Sequence, residues 1–364
     1  MVKGSGANVY DLSSLTRVST PPEGLSREGT PANMADVAAR AGVSIATVSR
    51  ALRDLPGVGQ ETRDRIRAIA DELSYVVSPE ASRLARRETG RVAVVVPRAD
   101  VWFYSAMLAG LEARLRQAGL DVLVYQVDGV TARSTFFRDL PSRRKVDAVV
   151  LVAMPVLAEE EKRLDLMGAE VVVAGGRLRD CPHVRVDDHE VARLAVGHLL
   201  DLGHRRIALV RTSDTEGTRW SADVERVRGF RDTLAAAGCP LPEEYVVTRP
   251  FGVRAGADGV DALLDLPERP TAVFAYSDEL AVAALQRLRE RGVDAPREMS
   301  VVGVDGHPLA ELFDLTTVDQ GVAAQATSTA ELVVALLRGD RPERSTVLPS
   351  RLVVRGTTAA PLDG

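Results

Sequence analysis

Residues 33–52 contain two short helical patterns separated by a tight turn. This arrangement restricts the folds that the chain can adopt. Val37 and Ala41 lie four residues apart on the first pattern, as do Val48 and Leu52 on the second. This spacing puts each apolar pair on one face of a helix. Two amphipathic helices joined so closely predict a helix-turn-helix, whose second helix enters the DNA major groove.

The flanking residues support this prediction. Gly42 suits the end of the first helix, where a left-handed backbone costs little only for glycine. Ser44 suits the start of the second, because its hydroxyl can accept from a free backbone N–H. A third helical pattern runs from about Gln60 to Tyr75. Its apolar residues share one face and would close a three-helix core: Ile66, Ile69, Ala70 and Leu73.

Residues 77–90 predict a short hinge helix and a linker. Ser78 is a good N-cap, Pro79 suits the first helical position, and Glu80 favours the positive end of the helix dipole. So short a helix is unstable alone in water. We therefore expect it to form on contact with DNA or with a second copy of the chain.

Residues 34–50 resemble the lactose-repressor (LacI/GalR) family of bacterial transcription regulators. The resemblance covers roughly residues 33–358 and continues through these segments: Leu73-Ser74-Tyr75, Ala81, Leu84, 203–207 and 301–305. It implies an all-α helix-turn-helix DNA-binding domain (33–76), the hinge (77–90) and an α/β effector domain (91–364). That domain would have two subdomains like a periplasmic binding protein. Family members often have Pro-Asn after the tyrosine that precedes the hinge, whereas this chain has Val77-Ser78.

The resemblance places Ile45, Ala46 and Arg50 at base-reading positions. Arg50 would bind guanine through two hydrogen bonds, and the other two side chains offer apolar contact, for instance to a thymine methyl. Three hydroxyl side chains would hold phosphates and set the register: Ser44, Thr47 and Ser49. The alternative for Thr47 and Ser49 is ordinary helix surface.

At the hinge, the resemblance assigns Ala81 and Leu84 to DNA contact. Leu84 would insert into a central minor-groove step and kink the duplex, as apolar wedges do in other proteins. The alternative is that Leu84 packs only on its dimer mate.

From Arg91 onward, apolar runs alternate with helical patterns. Continuous apolar runs are typical of parallel strands that are covered on both faces. Two series of them predict two α/β subdomains with a ligand cleft at the carboxyl ends of the strands. The resemblance adds that the chain returns between subdomains near 306–320 and again near 345. The runs are 91–96, 122–127, 146–153, 170–174, 206–210, 245–248, 271–276 and 299–304.

Three aromatic residues, Trp102, Phe103 and Tyr104, directly follow the first strand in a chain with only 4% aromatic residues. Flat rings stack on sugar or base faces, so these residues predict a binding loop. The alternatives are core packing and a dimer interface. The resemblance assigns Phe103 and Tyr104 to ligand stacking.

Polar cleft candidates come from the resemblance. Arg226 matches an arginine that donates to ligand oxygens, for which its planar fork is suited. Asp305 matches a carboxylate that accepts from ligand hydroxyls or amines. The alternatives are a surface salt bridge for Arg226 and a helix cap or turn for Asp305. Further cleft positions are Phe251, Ser277 (where the family often has Asn) and Trp220.

Composition limits the class of protein. The net charge of −5 excludes a generally basic nucleic-acid coat protein. Residues 33–91 carry ten arginines and eight acidic residues, so dimerisation must supply much of the DNA affinity. Two cysteines suit a reducing cytoplasm, and the sequence has no apolar run long enough to span a membrane. Residues 1–32 predict a disordered extension.

The sequence gives little support for a catalytic or metal-binding site. Residues 183–190 contain two histidines and three acidic residues in a spacing that matches no usual metal-ligand set: His183, Asp187, Asp188, His189 and Glu190. We expect no cofactor, and we expect His204 to act as a structural hydrogen-bonding residue. The residues show no Gly-x-Ser-x-Gly elbow, P-loop or Gly-x-Gly-x-x-Gly after a strand.

The sequence therefore predicts a cytoplasmic, homodimeric transcriptional regulator, a repressor by family precedent, which binds a near-palindromic operator. A small molecule, with sugars as the leading class, would control it from the cleft. No heptad pattern follows Gly356, so dimers are expected rather than tetramers. The alternatives are a transport solute-binding protein, which would lack residues 33–90 and carry a signal peptide, and an α/β enzyme.

Overall fold

The computed structural model describes residues 32–73, 75, 89–139, 146–213, 221–252 and 254–362. The chain divides into two compact units, residues 1–82 and 83–364. Several predictions fall outside the described residues, namely the extension up to residue 31, the hinge helix with Ala81 and Leu84, and the cleft residue Trp220. The boundaries of the four predicted segments remain predictions.

The first unit contains three helices: α1 (Met34–Ala41), α2 (Ile45–Leu52) and α3 (Gln60–Glu72). Val37, Val48 and Ile66, one from each helix, are fully buried and form the centre of its core. α1 ends at Gly42, which has the predicted left-handed backbone with φ 65°. α3 ends three residues before the predicted Tyr75. The helix-turn-helix core is therefore built from the apolar positions that the pattern predicts.

Ser44 is the N-cap of α2, as predicted. Its Oγ accepts a hydrogen bond from the backbone N–H of Thr47 at 3.1 Å. Asn33 caps α1 in a capping box, because its side chain accepts from Asp36 N while the Asp36 carboxylate accepts from Asn33 N. Both short helices thus begin at residues that satisfy free backbone donors.

The second unit contains two α/β subdomains. The N-terminal subdomain has a sheet with strand order β11-β5-β4-β3-β1-β2, and every pairing in it is parallel. Its strands are β1 (Arg91–Val96), β2 (Asp121–Gln126), β3 (Ala148–Val152), β4 (Glu170–Ala174), β5 (His183–Val186) and β11 (Ser345–Leu348). Helices α4 (Trp102–Gln117) and α12 (Val322–Leu337) cover one face. Helices α5 (Gly129–Asp139) and α6 (Ala158–Asp165) cover the other.

The C-terminal subdomain repeats this architecture with strand order β12-β10-β9-β8-β6-β7, in which β12 alone is antiparallel to its neighbour among the described strands. Its strands are β6 (Ile207–Ser213), β7 (Val246–Pro250), β8 (Ala272–Ala275), β9 (Ser300–Asp305), β10 (Thr316–Asp319) and β12 (Arg351–Val353). Its helices are α7 (Asp188–Asp201), α8 (Ser221–Ala236), a 3-10 turn (Glu243–Tyr245), α9 (Ala255–Leu264), α10 (Asp278–Glu290) and α11 (Leu309–Leu312).

The chain passes between the subdomains three times within the described ranges. It crosses from β5 to α7, from β10 back to α12, and from β11 to β12. The second crossing lies at 320–321, at the end of the predicted range, and the third lies at 349–350, slightly beyond the predicted residue 345. The crossings and the carboxyl ends of the parallel strands enclose the same space. No described helix is both long enough and apolar enough to cross a membrane.

Candidate functional site

A cavity lies between the two subdomains, at the carboxyl ends of their strands. We call it the central cavity. Six of the eight residues that sequence reasoning assigned to the cleft line it: Phe103, Tyr104, Arg226, Phe251, Ser277 and Asp305. Five further polar residues that the sequence prediction missed also line it: Asp188, Thr212, Tyr276, Glu279 and Gln320. The structure therefore brings together aromatic rings and hydrogen-bonding groups that are far apart in the sequence.

Arg226 is held rigidly on α8, with 5% of its surface exposed. Its Nε donates to Asp188 Oδ1 at 2.9 Å and its Nη1 donates to the carbonyl oxygen of Tyr276 at 2.9 Å. Its guanidinium carbon lies 4.7 Å from the centre of the Tyr276 ring. The surface salt bridge considered from the sequence is wrong, because this ion pair is buried. Nη2 has no hydrogen-bond partner among the described residues, and Arg226 lines the central cavity.

Close packing of α7 against α8 makes the Arg226–Asp188 pair possible. Gly229 follows Arg226 by one helical turn, and a Cβ there would lie 2.4 Å from the carbonyl oxygen of His189. Burial lowers the pKa of Arg226, but the Asp188 carboxylate and other nearby acidic groups outweigh this effect and the pKa is raised. Burial raises the pKa of Asp188, and the Arg226 charge opposes that rise.

Asp305 ends β9 at the centre of the cavity. It is buried, and its φ of 132° is rare for a residue with a side chain. Its Oδ1 accepts from Gln320 Nε2 at 2.6 Å. Burial and the neighbouring Asp278 carboxylate raise its pKa well above the usual value, against the opposing effect of Arg226. A strained, buried carboxylate facing a cavity is typical of a binding residue rather than of the helix cap considered from the sequence.

Asp278 is close enough to Asp305 to influence its pKa, but it has different hydrogen-bond partners. Its Oδ1 accepts from Thr317 Oγ1 at 2.6 Å and its Oδ2 accepts from His307 N at 2.8 Å. Burial raises its pKa to about 7. Asp278 is therefore a carboxyl with structural hydrogen bonds to both oxygens, and Asp305 is the member of the pair that lines the central cavity.

Trp102 and Ser277 have structural contacts that the sequence did not reveal. The Trp102 ring packs against the His307 ring, with centres 4.7 Å apart, and Trp102 does not line the central cavity. Its backbone N–H donates to Glu279 Oε1 at 3.3 Å, so it joins the two subdomains directly. Ser277 caps α10 by accepting from Leu280 N at 3.4 Å and also lines the cavity.

Position in the fold could have revealed the missed residues. Asp188 directly follows the first crossing between the subdomains, and Gln320 lies in the second. A crossing segment must border the space between two subdomains, so polar residues there are cleft candidates. Asp188 was instead considered as part of the segment 183–190 and its metal-ligand spacing.

That segment has other contacts. Asp187 caps α7, His189 pairs with Asp232 at 3.0 Å, and Glu190 pairs with Arg193. Within the described ranges, no group of three histidine, cysteine or acidic residues is placed to hold a metal ion. His204 is a structural hydrogen-bonding residue, as predicted: it is buried and contacts Thr271 Oγ1, Ser300 Oγ and the Ala359 carbonyl oxygen.

In the first unit, α2 presents the predicted DNA-reading side chains to solvent. Ser44, Ala46 and Arg50 are exposed, and Ile45 is 52% exposed although it is apolar. Arg50 has no ion-pair partner among the described residues. Thr47 and Ser49 are half-buried, and Thr47 Oγ1 hydrogen-bonds Ser44 Oγ at 2.9 Å. The exposed side chains of Ile45, Ala46 and Arg50 therefore face solvent on α2.

The comparison with known proteins agrees with both units. Residues 33–78 match the model for bacterial regulatory proteins of the lacI family, and residues 196–358 match the periplasmic binding protein-like domain. The transcriptional regulator DegA of Bacillus subtilis is 30% identical over 333 residues, which are 89% of this chain and 97% of DegA. The chain belongs to the LacI family. The resemblance and the fold class predicted from the sequence are confirmed.

Other family members show the same extent of similarity. The transcriptional repressor CytR of Escherichia coli is 29% identical over 339 residues, covering 92% of this chain and 98% of CytR. The solved complex of the transcriptional regulator CelR with cellobiose is 30% identical, has a TM-score of 0.66, and covers 90% of this chain and 99% of CelR. These relatives are transcriptional regulators and not enzymes, and they match both the DNA-binding and the ligand-binding regions.

Proposed function

We propose that this LacI-family chain is a sequence-specific transcriptional repressor whose operator affinity is controlled by a small molecule in the central cavity. The exposed face of α2, with Ile45, Ala46 and an unpaired Arg50, supports DNA reading in the major groove. Repression rather than activation follows the relative CytR. The cytoplasm is the expected location, because it holds the DNA.

One observation supports a sugar effector most directly. Asp305, Gln320 and Arg226 converge on a cavity that also contains the Phe103 and Tyr104 rings. Carboxylate, amide and guanidinium groups hydrogen-bond hydroxyls, and rings stack on the apolar faces of pyranoses. The regulator CelR, which is similar over 90% of this chain, was solved with cellobiose.

Homodimerisation supports operator binding in this proposal. The segment at α11 exposes three large apolar side chains: Leu309, Leu312 and Phe313. A second copy of the chain would cover them and place two α2 helices on a near-palindromic operator. Ala81 and Leu84 would then meet their counterparts at the operator centre.

Effector control requires two states with different affinities for the ligand. The crossings at Asp188 and Gln320 belong both to the cavity and to the connection between the subdomains. A ligand that binds Arg226 and Asp305 of one subdomain and Phe103 of the other favours the closed arrangement. This change in subdomain pose would order or release the hinge helices.

In vitro selection from a randomised duplex DNA pool tests this proposal. We expect enrichment of a palindrome with two half-sites that meet at a flexible central step, and a change in binding when pooled sugars are added. Failure to enrich any palindrome, with and without sugars, would contradict dimeric DNA reading. Enrichment without any response to sugars would contradict the sugar effector alone.

A further inference from the structure

The central cavity continues into a second compartment at the edge of the cleft. The residues that line this outer compartment and carry the argument are Arg98, Asp100, Phe251, Glu279, Val282 and His307. Phe251 and Glu279 also line the central cavity. The two spaces are therefore continuous along one side of the cleft.

The walls of the outer compartment come from both subdomains and are joined across it. The Arg98 guanidinium, from the N-terminal subdomain, lies 4.6 Å from the centre of the Phe251 ring in the C-terminal subdomain. Together with the contacts of Trp102 to Glu279 and His307, this encloses the compartment rather than leaving it as open surface.

The outer compartment offers the groups that a sugar ring needs. Arg98 and Asp100 form a bidentate pair, with N···O distances of 3.0 and 2.6 Å. His307 Nδ1 accepts from Leu309 N at 2.9 Å, so this hydrogen bond assigns the proton to Nε2. Nε2 has no hydrogen-bond partner among the described residues and is free to donate. Phe251 supplies an apolar ring between the two spaces.

The charges around both compartments disfavour an anionic ligand. Among the described residues that line the central cavity, the one cation is Arg226, which Asp188 already pairs. Among those that line the outer compartment, the one cation is Arg98, which Asp100 pairs. A phosphate or carboxylate would thus meet cations that are already neutralised, beside the Glu279 carboxyl that lines both spaces. An uncharged polyol avoids this repulsion.

We propose that the outer compartment is a second saccharide subsite and that the effector is an uncharged disaccharide. One ring binds Arg226, Asp305 and Gln320, and the other binds between Phe251, Asp100 and His307. This inference rests on the proposed sugar effector and specifies its size and charge.

Calorimetric titration of the full chain tests the proposal. The probes are glucose, galactose and fructose, the disaccharides cellobiose, maltose, lactose, trehalose and sucrose, and glucose 6-phosphate. We expect one disaccharide to bind at least tenfold tighter than either of its monosaccharides, and no measurable binding of glucose 6-phosphate. Equal affinity for a disaccharide and its monosaccharide, or tighter binding of the phosphate, would overturn the proposal.

Two variants locate the second ring. Val282→Phe fills the outer compartment, and Asp100→Asn weakens an acceptor in it without changing its shape. Both should reduce disaccharide affinity toward the monosaccharide level and leave monosaccharide affinity unchanged. Gln286→Phe is the matched control, since it adds the same ring one turn along α10, at an exposed residue outside the compartment. Thermal unfolding verifies that each variant folds.

The outcomes separate this inference from the function on which it rests. If a monosaccharide binds and the two variants weaken mono- and disaccharide equally, the second subsite is wrong and the sugar effector stands. If none of the sugars binds the wild-type chain, the saccharide effector itself is contradicted, and the subsite with it.

Discussion

Asp305 combines a buried charge with an unfavourable backbone conformation, and both are costs to the fold that a ligand would offset. Its carboxylate is pushed toward protonation by burial and by Asp278, and its φ of 132° is strained. Gln320 stabilises the carboxylate by one hydrogen bond of 2.6 Å. A residue selected for stability alone would not be an aspartate here, so function is the better explanation.

Asp305→Asn should therefore stabilise the ligand-free protein and weaken its binding of the effector. Asparagine keeps the size of the side chain but cannot ionise, so it cannot offer ligand hydroxyls the charged acceptor that Asp305 offers when it is ionised. The loss of a charged hydrogen bond, about 1.5–3 kcal/mol, corresponds to roughly a 10- to 150-fold loss of affinity. Titration calorimetry and thermal unfolding measure the two effects. Operator binding without effector should be unchanged, and an unchanged effector affinity would remove Asp305 from the site.

The pKa of Asp278, raised by burial to about 7, predicts a pH-dependent stability. A raised carboxyl pKa means that the folded state binds the proton more tightly than the unfolded state, whose pKa is about 3.9. The stability from this group is present below the unfolded pKa and is lost as pH rises toward 7. Asp278→Asn removes this dependence. The free energy of unfolding of the variant minus that of wild type should therefore be larger at pH 8 than at pH 5 by roughly 2 kcal/mol.

Chemical denaturation at the two pH values measures this difference. The matched control is Asp265→Asn, whose carboxylate is 71% exposed in the same subdomain. Its effect on stability should be the same at both pH values. A stability difference between Asp278→Asn and wild type that does not change with pH would show that Asp278 is ionised in the folded protein throughout this range.

Arg50 is the side chain on α2 that can select a base strongly. It is exposed and free of ion pairs among the described residues, so its guanidinium is available for guanine O6 and N7. Arg50→Ala should reduce the free energy of discrimination between bases at one position of each half-site by ~1–3 kcal/mol. Selection from randomised DNA measures the profile. Arg40→Ala is the control, because Arg40 pairs with Glu72 on the surface, and an unaltered profile for both variants would refute the base-reading role.

At the scale of elements, Arg63 shows that a basic residue in a DNA-binding region need not contact DNA. It is buried on α3 and its guanidinium donates to Asp54 Oδ1 and to three carbonyl oxygens. Two of these carbonyls, Leu55 and Val58, belong to the segment between α2 and α3, and the third, Ala51, belongs to the last turn of α2. Arg63 therefore holds that segment in place and does not belong with the exposed basic charge counted from the sequence.

Arg63→Met should unfold or strongly destabilise the three-helix unit. The substitution leaves buried carbonyls unsatisfied, at about 1–3 kcal/mol each, in a unit whose small core gives little stability to spare. Calorimetry should show the loss or a large downward shift of one transition, while effector binding by residues 83–364 persists. Arg65→Met, an exposed position on the same helix, should leave both unfolding and operator binding nearly unchanged. Equal behaviour of the two variants would contradict the structural role.

Local patterns explain why so much of the fold could be predicted. The apolar spacing on α1, α2 and α3 is set within each helix, and the continuous valine runs of the strands reflect burial on both faces. The polar partners could not be predicted in this way. Gln320 approaches Asp305, and Arg226 approaches Asp188, only after the chain has crossed between the subdomains. Burial of Arg226 likewise depends on helix packing that no local pattern encodes.

At the scale of the whole molecule, the exposed apolar segment at α11 lies two residues beyond His307. His307 itself lines the outer compartment, contacts Trp102 of the other subdomain, and donates its backbone N–H to the Asp278 carboxylate. The effector cleft and the proposed dimer surface therefore share one short segment, 305–313. Residues 305–313 connect Asp305 directly to the surface that would contact a second copy. A ligand-dependent movement at Asp305 could therefore be transmitted along the chain to that surface.

Leu312→Glu tests whether a second copy covers this segment. Leu312 is 79% exposed in the single chain, so the substitution removes no internal packing and should leave effector affinity unchanged. At a dimer interface it would bury an unpaired charge, which costs several kcal/mol, enough to weaken self-association at least 100-fold. Operator affinity should fall with it, because each monomer then binds a half-site alone.

Sedimentation velocity across a concentration series measures the association, and a mobility shift with the selected operator measures DNA binding. Leu157→Glu is the matched control, since Leu157 is 53% exposed at the start of α6, on the opposite face of the first sheet from α12. It should remain dimeric. If Leu312→Glu also remains dimeric and binds the operator as tightly as wild type, then α11 faces solvent in the assembly. The coupling between cleft and dimer surface must in that case run through another element.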